Sequence, residues 1–335
     1  MTTTTAPAQA GTTGPGRATD GDPVVAEVVR SGFVESVHRG RAVGIAADGS
    51  VVFTVGDVEA PVFGRSSVKP LQALGMVRAG LPLVGELLAL ASASHSGESF
   101  HLDGVRRVLA GAGLDVDALR CPPDFPLDEA ARVTWIRDGH DRERIAMNCS
   151  GKHSAMLATC VVAGWSTQDY TDPGHPLQQR LVATVAELAG GVPATGVDGC
   201  GAPVFATSLV GLARAGRALV TGDAGPEGLA VAAAFRANPE WTSGTTRAEA
   251  ALMRAVPGLL VKGGAEGVQL AVLEDGRAVT VKVDDGAARA SVPVLVAVLR
   301  RLGVEVPVDV GPVVGPPVLG GGRPVGEVRV PAGVF

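Results

Sequence analysis

The sequence predicts an α/β protein of the α+β kind, with one antiparallel sheet assembled from both termini and a helical region between them. Three observations lead there. Asp48-Gly49 divides two apolar runs within residues 42–56, and Asp275-Gly276 divides two more within residues 268–283. Each is a two-residue turn signal between alternating segments, the signature of an antiparallel hairpin. Between roughly 65 and 256, apolar residues recur at helical spacing and several segments end in glycine, as helices do.

Taken in order, the first 22 residues are rich in Thr, Ala, Gly and Pro with hardly an apolar side chain, so disorder is expected there. The sheet is expected to start near residue 23 and to take up residues 23–60 and 262–335. Helices are expected at 67–80, 83–94, 101–113, 150–164, 176–190, 204–216 and 228–239, each with an apolar stripe. Pro70 suits the first turn of its helix, where the missing N–H has no intrahelical acceptor to lose. After the second hairpin, residues 289–303 read as another helix and 326–334 as a last strand. With no internal repeat or interior linker, residues 23–335 read as a single catalytic domain.

Composition narrows the function classes. The chain of 335 residues is 46% apolar with a net charge of −5, enough for a sizeable core. Its basic residues are dispersed, so no nucleic-acid footprint is expected. Apolar stretches such as 288–302 are broken by Arg, Gly or Pro before reaching membrane-spanning length. The N-terminal stretch lacks a basic start and an apolar segment of signal type, which favours a cytoplasmic location. Four cysteines at irregular positions, 121, 149, 160 and 200, do not make a disulfide framework.

Lysine usage is the most telling feature. Only four lysines stand against twenty-five arginines, as if lysine were kept only where arginine will not do. Arginine stays protonated, whereas a buried lysine can become neutral and act as base, nucleophile or ligand. Three of the four occupy chemically loaded stretches: Arg65-Ser66-Ser67-Val68-Lys69, Cys149-Ser150-Gly151-Lys152-His153, and Lys262-Gly263-Gly264-Ala265-Glu266-Gly267. Ser66 and Lys69 form an SxxK match at a helix start, where residues three apart share a face. A neutral lysine there would take the serine proton for nucleophilic acyl transfer. The plainer alternative is a helix-capping serine followed by a solvated lysine. Ser92, Ser94 and Ser96 form a second serine cluster that reads either as a helix end or as part of a site. Cys149 and Cys200, with a nitrogen and a water, offer a zinc-like donor set, although buried free thiols are the plainer reading.

Together these stretches resemble the rhizobial-type (type 3) L-asparaginase family, also called the asparaginase II family. The carriers are ESVHRG (35–40), RSSVKPLQA (65–73), ASHSGE (93–98), NCSGKHSAML (148–157), DGCGAP (198–203) and KGGAEGV (262–268). The resemblance implies a fold similar to serine β-lactamases and glutaminases, hydrolysis of L-asparagine to aspartate and ammonia, and a homodimer. It implies Ser66 as nucleophile with Lys69 as base, and Ser94 with Lys262 as a second Ser-Lys pair. Arg65, His153 and Asp198 fall on neighbouring substrate-binding positions, and Cys149, Lys152 and Cys200 on positions that hold one zinc ion. The alternatives are a glutaminase, a β-lactam-processing Ser-Lys hydrolase, or a non-catalytic zinc-binding protein on the same fold.

Overall fold

A computed structural model describes residues 21–335; the tail expected to be disordered lies outside them up to residue 20. Order begins sooner than composition suggests. Asp22 is buried and its carboxylate lies 3.1 Å from Arg41 Nε, because a buried guanidinium on the sheet needs a counter-charge.

The N-terminal strands are β1 (Val24–Arg30), β2 (Phe33–Ile45), β3 (Val51–Val55) and β4 (Val62–Phe63). Helices follow as α1 (Lys69–Arg78), α2 (Gly85–Ala91), α3 (Ser99–Gly111), α4 (Glu129–Arg137), α5 (Ser150–Ala163) and α6 (Pro176–Ala189). Strands β5 (Thr195–Val197) and β6 (Pro203–Thr207) precede α7 (Leu209–Thr221), α8 (Gly225–Ala237), α9 (Pro239–Thr242) and α10 (Ala248–Ala255). The C-terminal part holds β7 (Leu260–Gly264), β8 (Val268–Val272), β9 (Ala278–Val283), α11 (Ala288–Arg301), α12 (Gly311–Val314), β10 (Val318–Gly320) and β11 (Arg323–Arg329).

The main sheet runs β10-β11-β1-β2-β9-β8-β7, with β3 also paired to β2, and its pairings are antiparallel. Strand β2 joins the termini. Its first half pairs with β1, and its second half pairs with β9 from Gly40–Val283 to Ile45–Ala278. The fold is therefore α+β, with the sheet made from both ends of the chain, as the sequence predicts.

Helices α7 and α11 cover the sheet. Gly216 in α7 permits the close approach: a Cβ there would lie 2.8 Å from Val272 Cγ2 and 2.9 Å from Leu270 Cδ1. One expected helix begins late. Residues 203–207 form β6, a fully buried strand between β4 and β5, and the helix starts only at Leu209 after Ser208 caps Gly211 N–H. A continuous apolar run can be a buried strand as readily as a helix, and pairing partners distant in sequence decide which. Helices α4 and α10 lie outside the segments for which helices are expected. No helix among the described residues is long and apolar enough to cross a membrane.

Candidate active site

A cavity of about 540 Å³ opens where β7, the turn before α1, the loop after α2 and the start of α11 converge; Ser66 and Ser94 both line it. Ser66 lies in a single 3-10 turn, Arg65–Val68, that leads into α1. Arg65 holds a left-handed backbone, φ 51°, a cost for a residue with a Cβ that is commonly met at functional sites. The backbone of β7 lies against this turn. A Cβ on Gly264 would stand 2.7 Å from Gly64 O and 3.2 Å from Ser67 N, so only glycine lets the strand come so near.

Ser94 is placed by a loop pinned at several points. Its N–H donates to Thr242 O, and His95 N–H donates to Asn148 O. The buried His95 ring spans Gly97 N–H and Ser150 Oγ, at 3.2 and 2.9 Å. Ser150 Oγ donates in turn to Ile145 O at 2.7 Å. The loop is thus tied to the N-terminus of α5.

Both site lysines converge on Ser94. Lys69 Nζ donates to Ser94 Oγ at 2.9 Å, to Ala93 O at 2.6 Å and to Cys149 Sγ at 3.0 Å. Lys262 Nζ, on β7, lies 3.1 Å from the same Ser94 Oγ and 2.6 Å from Gly263 O. Ser66 Oγ bonds neither lysine. The SxxK spacing puts Ser66 and Lys69 on one face, but Lys69 is 1% exposed and follows its acceptors inward. Three acceptors match the three donors of an ammonium, which is what a buried charge requires. Lys262 differs: burial, reinforced by the Lys69 charge, pulls it down to about 7. Beside it, burial pushes the Glu249 carboxyl up, but Arg247 more than offsets this and holds it below its usual value.

Of the other expected site residues, Arg65 and Asp198 bind each other, Nε to Oδ1 at 2.8 Å. Neither is among the residues lining the cavity that holds Ser66 and Ser94. Arg65 instead borders a neighbouring cavity of about 280 Å³ with Arg41, Lys282 and Asp284. His153 is fully buried, its Nδ1 2.7 Å from the hydroxyl of Tyr170 and its Nε2 without a hydrogen-bond partner among the described residues.

His153 belongs with the thiols. Cys149 caps α5, Lys152 stands in its first turn, and Cys200 comes from the turn after β5. Lys152 Nζ lies 3.2 Å from Cys200 Sγ. The free thiols are shifted in opposite directions: Cys149, hydrogen-bonded to Cys200 and buried, is pushed well up, while Cys200, receiving that hydrogen bond and facing Lys152 and His153, is driven strongly down. Burial works to lower Lys152, but the thiolate charge of Cys200 outweighs it and raises the amine. No group of three or more His, Cys, Asp or Glu side chains among the described residues is arranged to hold a metal. The expected zinc set has two thiols and takes a lysine as third donor. Its chemistry fits zinc: soft sulfur donors, full burial, and the orphaned His153 Nε2 nearby.

The sequence motifs did not include Arg247, Glu249 or Arg289, and held Glu266 only as part of KGGAEGV with no role assigned; all four lie on the cavity wall. Glu249 had a faint signal, as a lone acid in an apolar helical stretch; the others look like ordinary surface charges.

This site brings serine and lysine side chains into one cleft beside a thiol cluster. Residues 26–330 match the L-asparaginase II family, and the chain belongs to that family, whose members are hydrolases acting on amides. No curated protein matches the chain. Among solved structures, Mglu in its glutamate form is 14% identical over 79% of this chain and 61% of its own, with a TM-score of 0.43. A Bacillus glutaminase solved in 4.3 M NaCl is 12% identical over 79% of this chain and 91% of its own, with a TM-score of 0.39. The chain thus spans less than two thirds of the Mglu chain.

Proposed function

We propose that this protein is an L-asparagine amidohydrolase that releases aspartate and ammonia through a serine acyl-enzyme. The reading is carried by one observation beyond family membership: two buried lysines bond one serine hydroxyl in a cavity that a second serine also lines. Such a cavity can both generate and accept charge during acyl transfer.

Ser66 is the attacking residue. It stands at the open cavity, and as second residue of its turn its N–H has no intrahelical acceptor, leaving it to stabilise an oxyanion together with the Gly263-Gly264 backbone. Ser94 carries the proton: with Lys262 neutral, Ser94 Oγ–H donates to Lys262 Nζ across the 3.1 Å contact, so a proton passed from Ser66 to Ser94 Oγ reaches Lys262 through it. The base shifts accordingly from Lys69, the sequence-based expectation, to Lys262. A lysine held near 7 accepts protons at neutral pH, whereas Lys69 Nζ is enclosed by three acceptors. Attack of Ser66 Oγ on the side-chain carboxamide forms an ester and breaks the C–N bond. Lys262 returns its proton to the leaving ammonia, and water then cleaves the ester.

Cys149, Lys152 and Cys200 would hold zinc, which when bound would keep both sulfurs as thiolates and Lys152 as a neutral amine. Cys149 touches Lys69, so the metal site would set the charge around Lys69 while lying outside the proton path. Ammonia release from asparagine, glutamine and a chromogenic β-lactam tests the substrate. Mass spectrometry of the acid-quenched enzyme tests the nucleophile: a β-aspartyl adduct on the Ser66 peptide is expected, and one on Ser94 would overturn the assignment.

A further inference from the structure

The cavity carries two charges that the acyl-transfer chemistry leaves unused. Of the arginines on its wall, Arg247 is bound to Glu249, Nη2 to Oε1 at 3.2 Å. Arg289 has no carboxylate within salt-bridge distance among the described residues. Its Nε donates to His38 Nε2 at 3.0 Å and an Nη to Ser36 Oγ at 3.3 Å. An arginine Nε–H only donates, so His38 Nε2 accepts and the ring proton lies on Nδ1, facing Asp285 Oδ2 at 2.6 Å. His38 is buried. The chain Asp285–His38–Arg289 therefore holds one edge of the guanidinium and leaves Nη1 without a hydrogen-bond partner among the described residues.

Glu266 lies on the same wall with its side chain 64% exposed. Its carboxylate lies 3.9 Å from Arg65, and that guanidinium is already committed to Asp198 at 2.8 Å. The backbone of Glu266 is left-handed, φ 60°, and its carbonyl accepts from Lys282 Nζ at 2.6 Å. Lys282, the one lysine without a motif, thus fixes the turn that presents this carboxylate. Gly286 leaves room beside it: a Cβ there would lie 2.8 Å from Glu266 Oε2. One anion and one cation, held by separate networks and not bonded to each other, complement a zwitterion.

We propose that Arg289 binds the α-carboxylate and Glu266 the α-ammonium of the substrate, so that the site takes free α-amino acids bearing a side-chain amide and refuses amides whose α-groups are blocked. This rests on the functional reading above and replaces Arg65 and Asp198, which neutralise each other, as the substrate clamp. Arg289→Met should lower kcat/KM for L-asparagine about 10- to 100-fold, the loss of a hydrogen bond between charged groups. Its kcat/KM for L-asparagine α-amide, which lacks the carboxylate, should stay unchanged, and Arg289→Lys should recover part of the loss. Glu266→Gln should act in the same way on substrates with and without the α-ammonium. An equal fall on both substrates, or none on asparagine, overturns the proposal. Calorimetric binding of L-asparagine to Ser66→Ala protein, with and without Arg289→Met, gives a readout independent of turnover. Loss of binding with Arg289 in a protein that never hydrolyses asparagine would overturn the functional reading and leave this one standing; binding indifferent to Arg289 would overturn this one alone.

Discussion

Lys262 offers the sharpest test, because its position on β7 ties a structural fact to a pH dependence. An ordinary lysine, near 10.5, is neutral in about one molecule in three thousand at pH 7, whereas one near 7 is neutral in about half. Burial against Ser94 and the nearby Lys69 charge thus raise the supply of base at neutral pH by about a thousandfold. The sign follows from the role. The base must be unprotonated to accept, so kcat/KM should fall about tenfold for each pH unit below 7 and level off above it. Lys262→Met, similar in length and without charge, should lower kcat by about 10² to 10⁴ and abolish that inflection in the residual rate. Glu249→Gln removes a carboxylate that favours the ammonium form of Lys262 and frees the positive Arg247, so the acid limb should move to lower pH. Ammonia release measured from pH 5 to 9 for the three proteins decides the matter. An inflection that survives in Lys262→Met, or an acid limb that moves to higher pH in Glu249→Gln, would refute the reasoning.

Ser66→Ala should lose ammonia release while keeping its melting temperature, since Ser66 is only half-buried and its hydroxyl bonds neither lysine; full turnover would remove it from the mechanism. Lys69→Arg should inactivate and destabilise together by about 1–3 kcal/mol, because a longer, forked cation must enter a fully packed site; near-normal turnover and melting would refute this. The thiol cluster should bind one zinc per chain, read by elemental analysis, and Cys200→Ser should lower that content and the melting temperature while leaving some activity. Gly216→Ala should cost about 1–3 kcal/mol in denaturant unfolding, since its Cβ would press on Val272 and Leu270; an unchanged midpoint would show that the sheet yields there.

Sequence alone determined a good deal. Asp-Gly turns and alternating strands marked both halves of the sheet, because hairpin chemistry is local. Scarce lysines and short motifs marked the cleft, because no other residue type supplies the same buried chemistry. Other decisions needed three dimensions. Residues 203–207 became a strand only because β4 and β5 lie beside them. Lys69 turned from Ser66 to Ser94 because its acceptors come from residues 93, 94 and 149. Arg65 and Asp198, 133 residues apart, were drawn from the cleft into each other's charge, while Glu266 and Arg289 were brought to its wall without bonding each other. Spacing along the chain tells which residue types are at hand. Which charge meets which is decided by tertiary contacts, since a buried ion takes the nearest satisfied partner whatever its distance in sequence.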